Sequence, residues 1–178
     1  EVLALMLAAA AGHADVTLVL LQSGAAVDAF VPAGGNTVGV DSSTPMVFTA
    51  EEATAAALPA GYTALMCACC HGRVEAARAL LSYGADPSVT VVAGGETAKD
   101  IALARSGDGA AACIAAIEAA EGSEAWRLVG RRVTIEGLSG ADKSDALNGQ
   151  SGVVQRCVLD ALPVKFVCVL YGSRREVQ

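Results

Sequence analysis

Apolar positions recur with helical spacing in two stretches of the chain, sixty residues apart. Leu3-Ala4-Leu5-Met6 runs through alanines to Gly12-His13-Ala14-Asp15-Val16, and then to Leu20-Leu21-Gln22-Ser23-Gly24-Ala25. The order returns as Thr63-Ala64-Leu65-Met66, Gly72-Arg73-Val74-Glu75-Ala76 and Leu80-Leu81-Ser82-Tyr83-Gly84-Ala85-Asp86. Leu20, Leu21, Leu80 and Leu81 supply the apolar stripe of a second helix in each copy. Gly24 and Gly84 stop that helix, where a left-handed residue is needed. The pattern predicts antiparallel helix pairs over 3–11 with 14–23 and over 64–71 with 74–83. Ala8, Ala9 and Ala68 are small enough to let paired helices approach closely. A self-repeat of this kind marks a stacked architecture. Such folds rarely carry out chemistry and more often offer a surface to another protein.

The texture changes after Glu121-Gly122-Ser123-Glu124. Helical periodicity gives way to alternation over Val129–Ile135, Gly152–Val158 and Lys165–Tyr171, the pattern of half-buried strands. Asn148-Gly149 marks a tight turn, and Gly172-Ser173 before Arg174-Arg175-Glu176-Val177 reads as a hairpin. Four or five short strands after residue 125 predict a small all-β barrel.

The repeated segments resemble ankyrin repeats: Gly61-x-Thr63-Ala64-Leu65, a helix, Gly72, a second helix, then Leu80-Leu81-x-x-Gly84-Ala85-Asp86. A third copy opens at Gly95-Glu96-Thr97-Ala98 with Asp100-Ile101-Ala102. Lys99 stands where leucine is expected, which gives that copy the character of a terminal cap. The family's Thr-Pro-Leu-His becomes Leu3-Ala4-Leu5-Met6 and Thr63-Ala64-Leu65-Met66, so its Thr/His polar contact is expected to be lost. The chain opens inside a first helix, and an upstream segment is expected. Leu128-Val129-Gly130-Arg131-Arg132-Val133, with Leu147-Asn148-Gly149-Gln150-Ser151-Gly152, resembles the SH3-like module that follows ankyrin repeats in some algal and protist proteins. The resemblances imply an α+β multidomain chain. An ankyrin-repeat α-solenoid would cover residues 1–121, a linker 122–125, and an SH3-like β-barrel 126–178.

Between the two clear copies lie about 27 residues more than one ankyrin period accounts for. Gly35-Asn36-Thr37 echoes Gly95-Glu96-Thr97, so the excess is expected to begin near Val38 and to occupy about 38–58. Thr49-Ala50-Glu51-Glu52 has the form of a capping box, followed by helix to Leu58 and a stop at Pro59. The segment reads either as an inserted arm or as a degenerate repeat. The lack of a helical period from Val38 to Phe48 favours the arm.

Charge is unevenly placed. Residues 1–124 hold fourteen acidic and four basic side chains, residues 125–178 five and eight, within a total of −7. The acidic repeats are poor ligands for nucleic acid, because phosphate contacts need clustered cations. Arg131, Arg132, Arg174 and Arg175 are the candidates for that role in the C-terminal region, although an ordinary solvated face is the simpler explanation of them. Cys67, Cys70 and His71 would share a helix face. A fourth ligand with suitable spacing is missing, so no metal is expected. Cys69 falls on a buried alanine position, and Cys113, Cys157 and Cys168 read as isolated buried thiols. Without a paired framework, a reducing compartment is expected, either the cytoplasm or an organelle interior. No apolar run is long enough to span a bilayer, so a soluble protein is expected. No nucleophile–base set, phosphate loop or cofactor motif is present, and no enzymatic activity is expected.

These features point to a non-enzymatic interaction protein, either an accessory subunit of a larger assembly or a reversible adaptor. Ankyrin fingers usually end in polar residues, whereas Phe30-Val31-Pro32 and Val89-Thr90-Val91-Val92 are apolar. Phe30, Val31, Val91 and Val92 on the fingers, Phe48 on the arm, and Met66 and His71 on the concave helix face form the expected partner surface. Exposed apolar patches commonly mark such sites, unless the arm itself folds back over the tips.

Overall fold

The computed structural model describes residues 2–30, 61–90, 94–105, 107–134, 149–158, 165–170 and 176–177. They fall into two compact units: Glu1–Leu81 with Ala85–Glu118, and Ser82–Gly84 with Ala119–Gln178.

The first unit is built from helix pairs. They are α1 (Val2–Ala11) with α2 (Ala14–Gln22), α3 (Ala64–Cys70) with α4 (Val74–Ser82), and α5 (Ala98–Leu103) with α6 (Asp108–Ser123), of which residues 108–118 belong to this unit. The first helices stack directly, α1 on α3 and α3 on α5. Leu5, Met6, Leu65, Met66, Leu80, Leu81 and Ile117 are fully buried, with Ala9, Ala68, Ala76, Ala77 and Ala102 between them. These alanines let backbones approach where larger side chains would hold them apart. Two glycines also approach closely. A methyl group on Gly109 would stand 2.5 Å from the carbonyl oxygen of Gly72.

Helix starts follow from local chemistry. The Thr97 hydroxyl accepts the Asp100 amide at 3.2 Å, and Asp100 accepts the Thr97 amide at 2.9 Å, a reciprocal capping box. Thr63 does the same for α3 with an unusual partner. Its hydroxyl accepts the Met66 amide, and its own amide donates to the Met66 sulfur, both at 3.4 Å. The family's Thr/His contact is absent as expected, and in this copy a thioether, itself a weak acceptor, takes the place of the imidazole. Gly24 and Gly84 end α2 and α4 with φ of 92° and 89°, a region that side chains with a Cβ resist.

Each finger is pinned at its base by one antiparallel bridge, Phe30 to Thr63 and Thr90 to Thr97. Between the bridge partners lie 32 residues in the first finger and 6 in the second. The first is thus longer by 26 residues. The arm proposed at 38–58 lies outside the described residues.

The second unit contains a 3-10 turn (Ala125–Leu128) and a four-stranded antiparallel sheet in the order β1 (Arg132–Thr134), β2 (Ser151–Val158), β3 (Lys165–Leu170), β4 (Glu176–Val177). A register shift between Val154 and Arg156 changes which face of β2 is buried. Gly152 and Val154 are buried before it and Cys157 after it. One extra residue does this because side chains alternate with a period of two. Among the described residues no pairing joins β4 to β1, so these strands form an open sheet rather than the closed barrel read from the sequence.

Candidate partner-binding surface

The two finger bases are tied to each other through backbone and carboxylate. Asp28 accepts the Asp86 amide at 3.0 Å. Burial raises the Asp28 pKa, an effect the Asp86 amide opposes and the nearby Asp86 charge adds to. Asp86 in turn accepts the Ser88 amide at 2.8 Å and its hydroxyl at 2.6 Å, closing a turn of the kind aspartate favours. Phe30 follows in the same finger, bridged to Thr63 through its backbone and 45 % exposed. Val31, Phe48, Val91 and Val92 lie outside the described residues.

On the helix face the expected residues part company. His71 caps α3 and is exposed, its Nδ1 3.1 Å from the Cys67 carbonyl oxygen. Met66 is only 1 % exposed and its sulfur is engaged by Thr63. It is withdrawn from the partner surface, because it is part of the α3 cap and core. Near His71, the Arg105 guanidinium donates to the Cys70 sulfur at 3.1 Å. Tyr62 lies beside this group. Burial raises its pKa, and Cys70 and Glu96 add to the shift.

The cysteines of α3 are interior groups. Burial and the neighbouring Cys70 push the Cys67 thiol up to about 12. Cys69 is hydrogen-bonded to Cys113, and both are fully buried. The hydrogen bond to Cys113 and then burial hold the Cys69 pKa above the ordinary thiol range. Cys113 is thus buried as expected but not isolated. The pairing crosses from α3 to α6, and spacing along the chain carries no signal for it. Among the described residues, no group of three His, Cys, Asp or Glu side chains could hold a metal ion.

In the second unit Arg131 and Arg132 are both exposed, Arg132 on the edge strand β1 opposite Val153. Arg174 and Arg175 lie outside the described residues. The Arg127 guanidinium sits 5.1 Å from the Trp126 ring centre and pairs with Glu124 at 3.0 Å. No described helix is long and apolar enough to cross a membrane.

A family model described as ankyrin repeats (3 copies) matches residues 2–91, half of the chain. The pair α5–α6 lies beyond the matched residues. No curated protein and no solved structure matches the chain.

Proposed function

The chain belongs to the ankyrin-repeat family, and from that premise we propose that it is a non-enzymatic subunit or scaffold of a larger protein assembly, binding through its finger edge. Ankyrin repeats generally mediate protein–protein interaction, and proteins built from them are typically non-enzymatic. The observation that carries the finer reading is Phe30: a large aromatic, half in water, on a base fixed by the Asp28–Asp86 bond. The unequal fingers support an inserted arm that extends this edge. A whole repeat in the same place would separate α1 from α3, and these helices touch. Burial of Phe and Val against a partner contributes roughly 25 cal/mol per Å² of apolar surface. A permanent interface suits this apolar edge better than a reversible adaptor does, because obligate interfaces are the more hydrophobic.

The test is co-migration with a high-mass assembly from the native source. Phe30→Asp with Val91→Asp is expected to abolish it and leave the far-ultraviolet helix signal intact. Unchanged co-migration of the double variant defeats the reading.

The antiparallel order of β1 to β4 and the bulge in β2 support an SH3-like module at the C-terminal end. The exposure of Arg131 and Arg132 favours a nucleic-acid role as the second reading. Its check is RNA binding that weakens steeply with salt and is lost in Arg131→Ala with Arg132→Ala.

A further inference from the structure

The sixty-residue offset allows α1 and α2 to be compared position by position with α3 and α4. Val16 is 49 % exposed where Ala76 is 0 %, and Val19 is 62 % exposed where Ala79 is 8 %. Leu3, Ala4, Leu7 and Leu20 are half-buried where Thr63, Ala64, Cys67 and Leu80 are buried. Apart from Thr63 the residues are apolar in both copies, so what differs is the neighbour. α3 has α1 packed against it.

Polar groups cross that same junction. Arg73 Nε donates to the Ala10 carbonyl at 3.2 Å, and the Asp86 amide donates to Asp28. Sixty residues earlier stand His13, whose ring can also donate to a carbonyl, and the amide of Ala26. Both residues are exposed. The far end of the stack is finished otherwise. Where Leu5 and Leu65 are buried, the third copy has Lys99, 2.9 Å from Glu118. Stacked repeats need a polar outer face on a terminal copy, and on the α1–α2 copy the apolar Val16 and Val19 are exposed instead.

We infer that the outer face of α1 and α2 is a stacking face for one further helix pair of the same repeat type. Its first helix would lie along α1 as α1 lies along α3, with its last-turn carbonyl facing His13. A partner of unrelated shape would use the valines but has no reason to meet donors at the positions of Arg73 and Asp86. The continuity of this face with the α1–α3 junction selects the occupant.

The experiment supplies that occupant as a known probe. A copy of residues 61–94 is placed directly before Glu1, which sets the added threonine 34 residues before Leu3, the spacing of Thr63 and Thr97. The extended chain is expected to melt at least about 5 °C higher, since each added neighbour contributes an interface. Amide exchange in α1 and α2 should slow at least tenfold. Val16→Glu with Val19→Glu should cancel both effects in the extended chain and leave the melting of the original chain unchanged. An extension that neither raises the melting temperature nor protects α1 and α2 overturns the inference. So does a gain that survives the glutamates. A dimer of the original chain that the glutamates dissociate gives the face to a second copy instead. Loss of stability on introducing the glutamates into the original chain gives it to a segment of the same polypeptide.

Discussion

At one end of the helical stack Lys99 reaches Glu118 across 2.9 Å, both side chains partly in water. At the other end the apolar side chains of Val16 and Val19 are exposed to water. Between them the middle pair, α3 with α4, buries nearly every apolar side chain it has. The middle copy shows what each position looks like with neighbours on both sides, and the end copies show what changes when one is missing. The lysine end has exchanged an apolar contact for a solvated ion pair. The valine end retains the apolar residues of an interior copy. A leucine count treats the two ends alike, whereas the comparison separates a finished end from an open one.

The largest test of this contrast sets the middle against the open end. Leu81 is fully buried in α4. Leu81→Ala is expected to cost about 2–5 kcal/mol by denaturant unfolding, the range for deleting a leucine side chain from a packed core. Val19→Ala should change stability by no more than about 0.5 kcal/mol, as substitutions on an exposed surface usually do. Equal costs at the two sites would mean that Val19 is covered and that the open end does not exist.

Much of this contrast was legible in the sequence. The sixty-residue echo placed the helix pairs, the glycines ended them, and Lys99 marked the third copy as different. The sequence did not indicate which side of each copy lacks a neighbour, because exposure depends on what is packed against α1 and not on α1 itself. The fate of Met66 was also hidden. Aligned with the family's histidine, it read as a concave-face residue, while the geometry turns its sulfur onto the Thr63 amide. The Cys69–Cys113 contact was beyond reach for a related reason: it depends on how α6 lies against α3. The alternation after residue 125 identified strands but not whether their edges meet.

The caps give a test of intermediate size. Thr63→Ala removes the hydroxyl that accepts the Met66 amide at the start of α3. The expected cost is about 1 kcal/mol, within the range for losing a threonine cap. Leu3 holds the same repeat position but lies inside α1 (Val2–Ala11) rather than ahead of it, so the test is confined to Thr63 and is read by the same unfolding. A Thr63→Ala variant as stable as the parent would show that the cap at α3 is replaceable by solvent.

The smallest expected effect is at the lysine end. The Lys99 ammonium and Glu118 carboxylate lie at 2.9 Å with side chains 32 % and 56 % exposed. Ion pairs at such exposure contribute about 0–1 kcal/mol, because water competes for both groups and two long side chains must be held still. A double-mutant cycle of Lys99→Ala and Glu118→Ala should give a coupling inside that range. It should shrink further at 1 M salt, where the screening length falls to roughly 3 Å. The small value is consistent with the partial exposure of both side chains. A coupling several times larger, and insensitive to salt, would mean that the pair is shielded from solvent by something packed over the third copy. In that case the lysine end would be an interface as well, and the two ends would no longer be opposites.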